Sequence, residues 1–471
     1  MEYYALLATV TVIIAALAVL LYLRTRDLGT LVGTGALYYW SLFGAWYIVI
    51  DKNGGSSGKH YQYLETKMFP IALDSDYMLA LCLYAAFIVT LQIGLLMLIP
   101  AREARPLPRL RIRHEPILLM ALVAGAASVF LIWGELGTAW ATHTSAYLYT
   151  RRNPSEWFTL HQVLNRAALL PGAIGLGTLL TGAKNRYFVN VNRRYTLTGY
   201  SCVLGGMCAF TFLLGNKNEV LAALISGLLA YAGGLRRPPW IKIGLAFGCG
   251  IWFLFSIDYF RSFAVSDLAS AVTSESDAAS VNEVARFVTS SNESYAAHFS
   301  MYGVLSRNIE PVFGYSIYSL ICSVIPRIVW RERPHDIYTY YAESVGAVQN
   351  QGYSLHHATG WYLNFGYPGV ILGALVMALA WAYCINARRA VHRRSGLPFR
   401  LFAILAPWLF AACLPPMLRA GPEAYKGLIV DGALIPTALL IAACKPRRER
   451  RRNAALQCCP ELGWRCPERV A

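Results

Sequence analysis

Apolar residues run along most of this chain in blocks of about 20, the length a helix needs to cross a ~30 Å hydrocarbon core. Short polar connections separate the blocks up to Phe260, and the pattern resumes at Gly369. It predicts about eleven membrane helices, at 4–23, 28–50, 77–99, 117–133, 167–182, 198–214, 220–235, 240–259, 369–386, 401–418 and 428–444. The expected class is an all-α polytopic membrane protein. Helices 1–8 fill 1–260, one large extramembrane loop fills 261–368, helices 9–11 fill 369–444, and a basic tail closes the chain at 445–471.

The long loop divides in two. Residues 262–291 are rich in Ser, Ala and acidic side chains and predict exposed amphipathic helix. Residues 313–330 are apolar enough to suggest another crossing, but the run is short, holds Pro326 near its end, and meets Arg327, Arg331 and Arg333. Counting it would also reverse every later connection. It therefore predicts a re-entrant or interfacial helix whose polar backbone is covered by protein.

Composition agrees with the membrane class: 56% hydrophobic residues, 14% charged, and a mean hydropathy of +0.41. The net charge of +16 would suggest nucleic acid in a soluble protein. Here the positive residues sit in alternate connections. They include Arg24 and Arg26, Arg102 through Arg113, Lys184 through Arg194, Arg236 through Lys242, Arg388 through Arg400, and the tail from Lys445. Positive connections stay in the cytoplasm, which predicts an outside N-terminus and a cytoplasmic C-terminus. The charge is then a topology signal with affinity for anionic lipid, and nucleic acid is not an expected partner. The first apolar run lacks a basic leader and a small-residue cleavage site, so it reads as a retained span. Most of the 11 cysteines lie in apolar runs; Cys322 alone is in the long loop, and Cys458, Cys459 and Cys466 in the tail have no His at zinc-ligand spacing.

Four polar stretches on the expected outer side are candidates for chemistry. In Gly215-Asn216-Lys217-Asn218-Glu219, a tight connection holds Lys217 and Glu219 at a helix start, which suits an anion. A polar hairpin with an interfacial ion pair explains it equally. Ile325-Pro326-Arg327, with Arg331 and Arg333, offers planar forks for phosphate, or a plain juxtamembrane charge cluster. In Ser354-Leu355-His356-His357 the adjacent His point to different faces, so they do not form a metal pair. One can act as a general base, or both can be hydrogen-bonded loop residues. Tyr362-Leu363-Asn364-Phe365-Gly366 reads as an aromatic interface anchor. Asp258 and Asp431, near span ends, offer proton-relay groups, but capping or pairing with a nearby Arg is the expected role. No glycine-rich phosphate loop, paired zinc motif or Asp-x-Asp metal site is present.

The order of these motifs carries a resemblance. The Gly-Asn-Lys-Asn-Glu connection is followed by Phe313-Gly314-Tyr315-Ser316, Ile325-Pro326-Arg327, Gly352-Tyr353-Ser354, and Tyr362 to Gly366 with Gly369 after it. This resembles the Wzy-type oligosaccharide repeat-unit polymerases of bacterial surface polysaccharides, over about residues 197–390. Two positions depart from that pattern: Lys217 stands where Arg is usual, and Gly360 where a Glu often precedes the Tyr-Leu-Asn-Phe-Gly run.

The resemblance implies a GT-C-like membrane glycosyltransferase in the bacterial inner membrane. Its substrate would be an undecaprenyl-pyrophosphate-linked oligosaccharide, polymerised at the periplasmic face into O-antigen, capsule or exopolysaccharide. A chain-length regulator and a flippase of the same pathway are implied partners. No cofactor and no metal is expected, so Arg and Lys must meet the leaving pyrophosphate. Lys217 and Arg327 are expected to bind it. Arg331, Tyr315, Ser354, Tyr362 and Asn364 are expected to line the substrate site. His356, His357 or Glu219 would handle the proton. An O-antigen ligase would share fold and chemistry. A flippase or other transporter would show repeated span patterns and polar groups at mid-membrane, which this chain lacks.

Overall fold

The computed structural model describes residues 2–53, 72–100, 110–152, 157–184, 188–190, 195–235, 238–261, 293–323, 332–346, 354–391, 396–427 and 444–446, with single positions among 263–267, 325–330 and 435–440. Most of these residues are helical, as the apolar blocks predict. In chain order the helices are α1 (Glu2–Thr25), α2 (Leu28–Tyr38), α3 (Gly44–Asn53), α4 (Ser75–Leu98), α5 (His114–Leu131), α6 (Trp133–Ala141), α7 (Ala146–Arg152), α8 (Phe158–Thr181), α9 (Thr196–Leu213), α10 (Lys217–Gly234), α11 (Trp240–Phe260), α12 (Glu293–Ser306), α13 (Tyr315–Cys322), α14 (Ile337–Ser344), α15 (His357–Ala390), α16 (Leu397–Leu418) and α17 (Ala424–Gly427).

Among the described residues, eight helices are long and apolar enough to cross a membrane: α1, α4, α5, α8, α9, α11, α15 and α16. Two more expected crossings are helical but differ from these. A π turn at Tyr39–Phe43 divides the run from α2 into α3, and α10 opens on Lys217, Asn218 and Glu219, which lowers its apolar content. The crossing expected at 428–444 lies mostly outside the described residues, as does almost all of 262–291.

The expectation of a purely helical chain needs one addition. Three short strands, β1 (Leu110–Ile112), β2 (Phe188–Asn190) and β3 (Cys444–Pro446), form a sheet in the order β2-β1-β3. β1 runs parallel to β2 and antiparallel to β3, with Arg111 opposite both Val189 and Lys445. Strands of three residues carry too little periodicity to be legible. Their placement is informative, because each lies in a different basic connection, and backbone pairing requires all three to be at one end of the bundle. Arg24 Nε donates to the Ile99 carbonyl at 2.7 Å, Arg389 Nη2 to the Arg24 carbonyl at 2.9 Å, and Arg388 pairs with Asp27 at 3.4 Å. The basic connections thus meet at a single end, here called the basic end.

The opposite end gathers the connections with fewer positive charges. Tyr3 OH donates to the Asp74 carbonyl at 2.7 Å, joining the starts of α1 and α4. Asp74 also caps α4 by accepting the Tyr77 N–H at 2.9 Å. Helix α16 is the most enclosed of the eight candidate spans. It sits between a core cluster built on α1, α4, α12 and α15 and another built on α5, α8 and α10. Trp381 of α15 stacks on Phe410 of α16, with ring centroids 5.3 Å apart.

Two local breaks shape the opposite end. Inside α15, Phe365 and Gly366 leave helical geometry, and Gly366 has φ of 63°, a conformation natural to glycine. Pro368 follows, so a short helix beginning at His357 meets the membrane helix at a corner. Helix α13, at 8 residues, is far too short to span. It turns Ser316, Ser319 and Cys322 inward and leaves Ile317, Tyr318 and Ile321 exposed. That polarity suits a helix lying against lipid.

Candidate active site

Two constellations of polar side chains occupy the opposite end. The first is charged. The connection before α10 reverses direction at Gly215, whose φ is 64° and whose added Cβ would lie 2.8 Å from Arg261 Cβ. This tight turn puts Lys217 on the first turn of α10. Lys217 Nζ donates to Asp258 Oδ1 at 2.6 Å, and Arg261 Nη1 contacts the same oxygen at 3.0 Å. The Arg261 guanidinium also lies 4.8 Å from the centre of the Tyr147 ring. Beside them, Arg166 of α8 pairs with buried Glu219 at 3.4 Å.

Lys217 and Arg261 thus gather at Asp258, and Arg166 at Glu219. The expected pairing of Asp258 with an Arg is present, with Lys217 added. Glu219, expected among the proton-handling groups, sits in an ion pair. Earlier on the same helix, both side-chain polar atoms of Asn165, next to Arg166, and the Nε2 of His161 are buried without hydrogen-bond partners among the described residues.

The second constellation is a junction of motifs. The Val312 N–H donates to the Leu363 carbonyl at 2.7 Å. Asn364 Oδ1 accepts the Ser316 N–H at 2.8 Å, capping an orphan donor at the start of α13. Its Nδ2 donates to Ser316 Oγ at 2.7 Å and to the Gly360 carbonyl at 2.6 Å. The Phe313–Ser316 and Tyr362–Gly366 motifs, separated in sequence, therefore form one unit. Asn364 holds it together through three bonds and is a positioning residue rather than an open ligand group. Tyr315 starts α13, half-buried; burial, followed by the nearby Asp336, Glu423 and Glu343 carboxylates, raises its phenol pKa. Tyr362 packs edge-on to Tyr367, with centroids 5.3 Å apart. Ser354 is buried, and its hydroxyl has no partner among the described residues.

The adjacent histidines do face different ways. His356 caps α15 by accepting the Ala358 N–H on Nδ1 at 3.1 Å, which leaves Nε2 to donate to Ser41 Oγ at 2.9 Å. His357 Nδ1 donates to the Ala420 carbonyl at 2.9 Å, and its Nε2 accepts the Trp361 indole N–H at 3.1 Å. Both rings are fully buried. Every imidazole nitrogen is engaged, so this geometry gives the pair a docking role and leaves neither an open nitrogen for a sugar hydroxyl. A third buried imidazole completes the arrangement. His298 Nδ1 donates to the Ser41 carbonyl at 2.7 Å, and Nε2 accepts from Tyr77 OH at 2.8 Å. Ser41 lies in the π turn. Burial lowers the His298 pKa to about 4, so it is neutral near pH 7.

Arg327 and Arg331 lie outside the described residues. Among the described residues, no group of three or more His, Cys, Asp or Glu side chains is placed to hold a metal ion. Reasoning from sequence gave no weight to Arg166, whose spacing to Gly177 was its one signal, and passed over His298, Ser41 and Glu423. Of these three, Glu423 had a readable signal: it stands in a short polar connection between apolar runs, like Lys217. Comparison with protein-family models, with curated proteins and with solved structures returned no match.

Proposed function

We propose that this protein is a membrane glycosyltransferase that polymerises lipid-linked oligosaccharide repeat units. The observation that carries the reading is the motif junction: two of the segments bearing the resemblance to repeat-unit polymerases, Phe313–Ser316 and Tyr362–Gly366, meet in one hydrogen-bonded unit. With the basic end in the cytoplasm, that unit faces the periplasm, where undecaprenyl-pyrophosphate-linked units would arrive through the bilayer. A hydroxyl of one unit attacks the anomeric carbon of another, and lipid pyrophosphate departs. The leaving group gathers negative charge, and Lys217, Arg166 and Arg261 bring cationic side chains to a helix start to receive it. Each charge-assisted hydrogen bond to it is worth about 1.5–3 kcal/mol.

Surface polysaccharide from a strain lacking the gene tests the reading. Loss of the long ladder with single-unit bands retained is the expected result. Loss of every band, single units included, would replace it with a ligase or flippase.

A further inference from the structure

The connection between α16 and α17 places one carboxylate at the motif junction in unusual surroundings. Glu423 Oε1 accepts the Ile337 N–H at 3.0 Å, at the start of α14. Its other oxygen, Oε2, is buried without a hydrogen-bond partner, and no cation pairs with it among the described residues. The Ser316 hydroxyl faces this carboxylate. Ser316 Oγ already accepts from Asn364 Nδ2, so its own proton is free to turn toward Glu423. The connection is pressed against the Tyr362 segment: a Cβ on Gly360 would lie 2.6 Å from Gly421 Cα and 3.2 Å from Pro422 Cδ. The His357 bond to the Ala420 carbonyl fixes the same connection from its other side.

Resting on the polymerase reading, we propose that Glu423 Oε2 is the proton acceptor for the attacking sugar hydroxyl. The hydroxyl O–H bond breaks and its proton passes to Oε2. The freed oxygen forms a bond to the anomeric carbon of the second unit. The bond from that carbon to the pyrophosphate oxygen breaks, and the electron pair leaves on the lipid pyrophosphate. Supporting this, burial raises the Glu423 carboxyl to about 7, where a proton acceptor is matched to neutral pH. Asn364 and Ser316 act as positioning residues.

The test uses the full-length protein in lipid nanodiscs. The probe is undecaprenyl-pyrophosphate-linked oligosaccharide extracted from membranes of the deletion strain. Glu423→Gln should lower kcat on the order of 10²–10⁴-fold with KM little changed, and should abolish the rise in rate through pH about 7. If that variant misfolds, Glu423→Asp decides, with an expected fall of about tenfold or more and the pH limb kept. Wild-type rates in both variants, or an unchanged pH limb in Glu423→Gln, overturn the assignment while the polymerase reading stands. If purified wild-type protein leaves the extract untouched while parent-strain membranes elongate it, both readings fall together.

Discussion

Glu219 and Glu423 share one end of the bundle, Glu219 in the first turn of α10 and Glu423 in the connection between α16 and α17. Their surroundings are opposite. Glu219 lies against Arg166, in a cluster where Lys217, Asp258 and Arg261 bind one another. Glu423 has a backbone N–H on one oxygen and no ion-pair partner on the other among the described residues. In a low-dielectric site a paired carboxylate has its attraction satisfied locally and holds cations in place. One buried without a cation has its charged form penalised, and its carboxyl rises toward neutral pH. On the proposed function, the first region suits charge handling and the second proton handling.

The largest expected effect comes from removing the hub of the charged region. Asp258→Ala removes the carboxylate that Lys217 and Arg261 share and should destabilise by about 3–5 kcal/mol. Thermal unfolding in detergent reads this. An unchanged Tm would mean that the cluster is solvated and not a preformed site. Lys217→Ala separates function from stability. Elongation should fall on the order of 10²–10³-fold, as when one preorganised donor is lost. Stability should move by only about 1–2 kcal/mol, because Arg261 still faces Asp258. Arg327→Ala should likewise abolish long polymer, and Arg327→Lys should restore it in part. Normal polymer from Arg327→Ala would remove that residue from the site.

A smaller effect probes the second region through packing. Gly360→Ala places a methyl group against the backbone of Gly421 and should destabilise by about 1–3 kcal/mol while displacing the connection that carries Glu423. A variant as stable and active as wild type would show that this contact positions nothing. The smallest effect is a slope. Glu423 has a folded pKa of about 7, above its ordinary 4.5, so the folded state binds more protons between those values. Stability from this group falls as pH rises through that window. Buried neutral His298 has the opposite sign: its contribution is lost as pH falls from 6.5 toward 4. Glu423→Gln should therefore gain stability relative to wild type as pH is raised from 5 toward 8 (chemical denaturation at fixed ionic strength measures it). A flat difference curve would contradict the burial of that carboxylate.

The helices were legible because the signal is long and redundant: a stretch such as Ser75–Leu98 is apolar throughout, and a few substitutions do not hide it. The alternation of Arg and Lys also identified which connections share an end. The sheet joining Leu110, Phe188 and Cys444 agrees with that grouping through backbone bonds alone. Single features were legible where chain geometry is local. The positive φ of Gly215 and the corner at Gly366 belong to short polar runs already visible in the sequence.

The site was legible only in part. Sequence motifs identified Lys217, Tyr315, Ser354 and Asn364 as residues of interest, but a motif does not state a partner. Whether a polar side chain is open or engaged depends on groups brought from elsewhere in the chain. Asn364 is engaged because Ser316 comes to it, and His356 because the π turn offers Ser41. Glu423 stands apart for the converse reason, since packing supplied burial and a backbone donor but no cation. By itself, the sequence determined a helical membrane chain and the grouping of its ends, because bilayer thickness and charge asymmetry act on each segment separately. Only the tertiary structure decided which polar groups remain free for chemistry, because desolvation and pairing depend on neighbours dozens to hundreds of residues away.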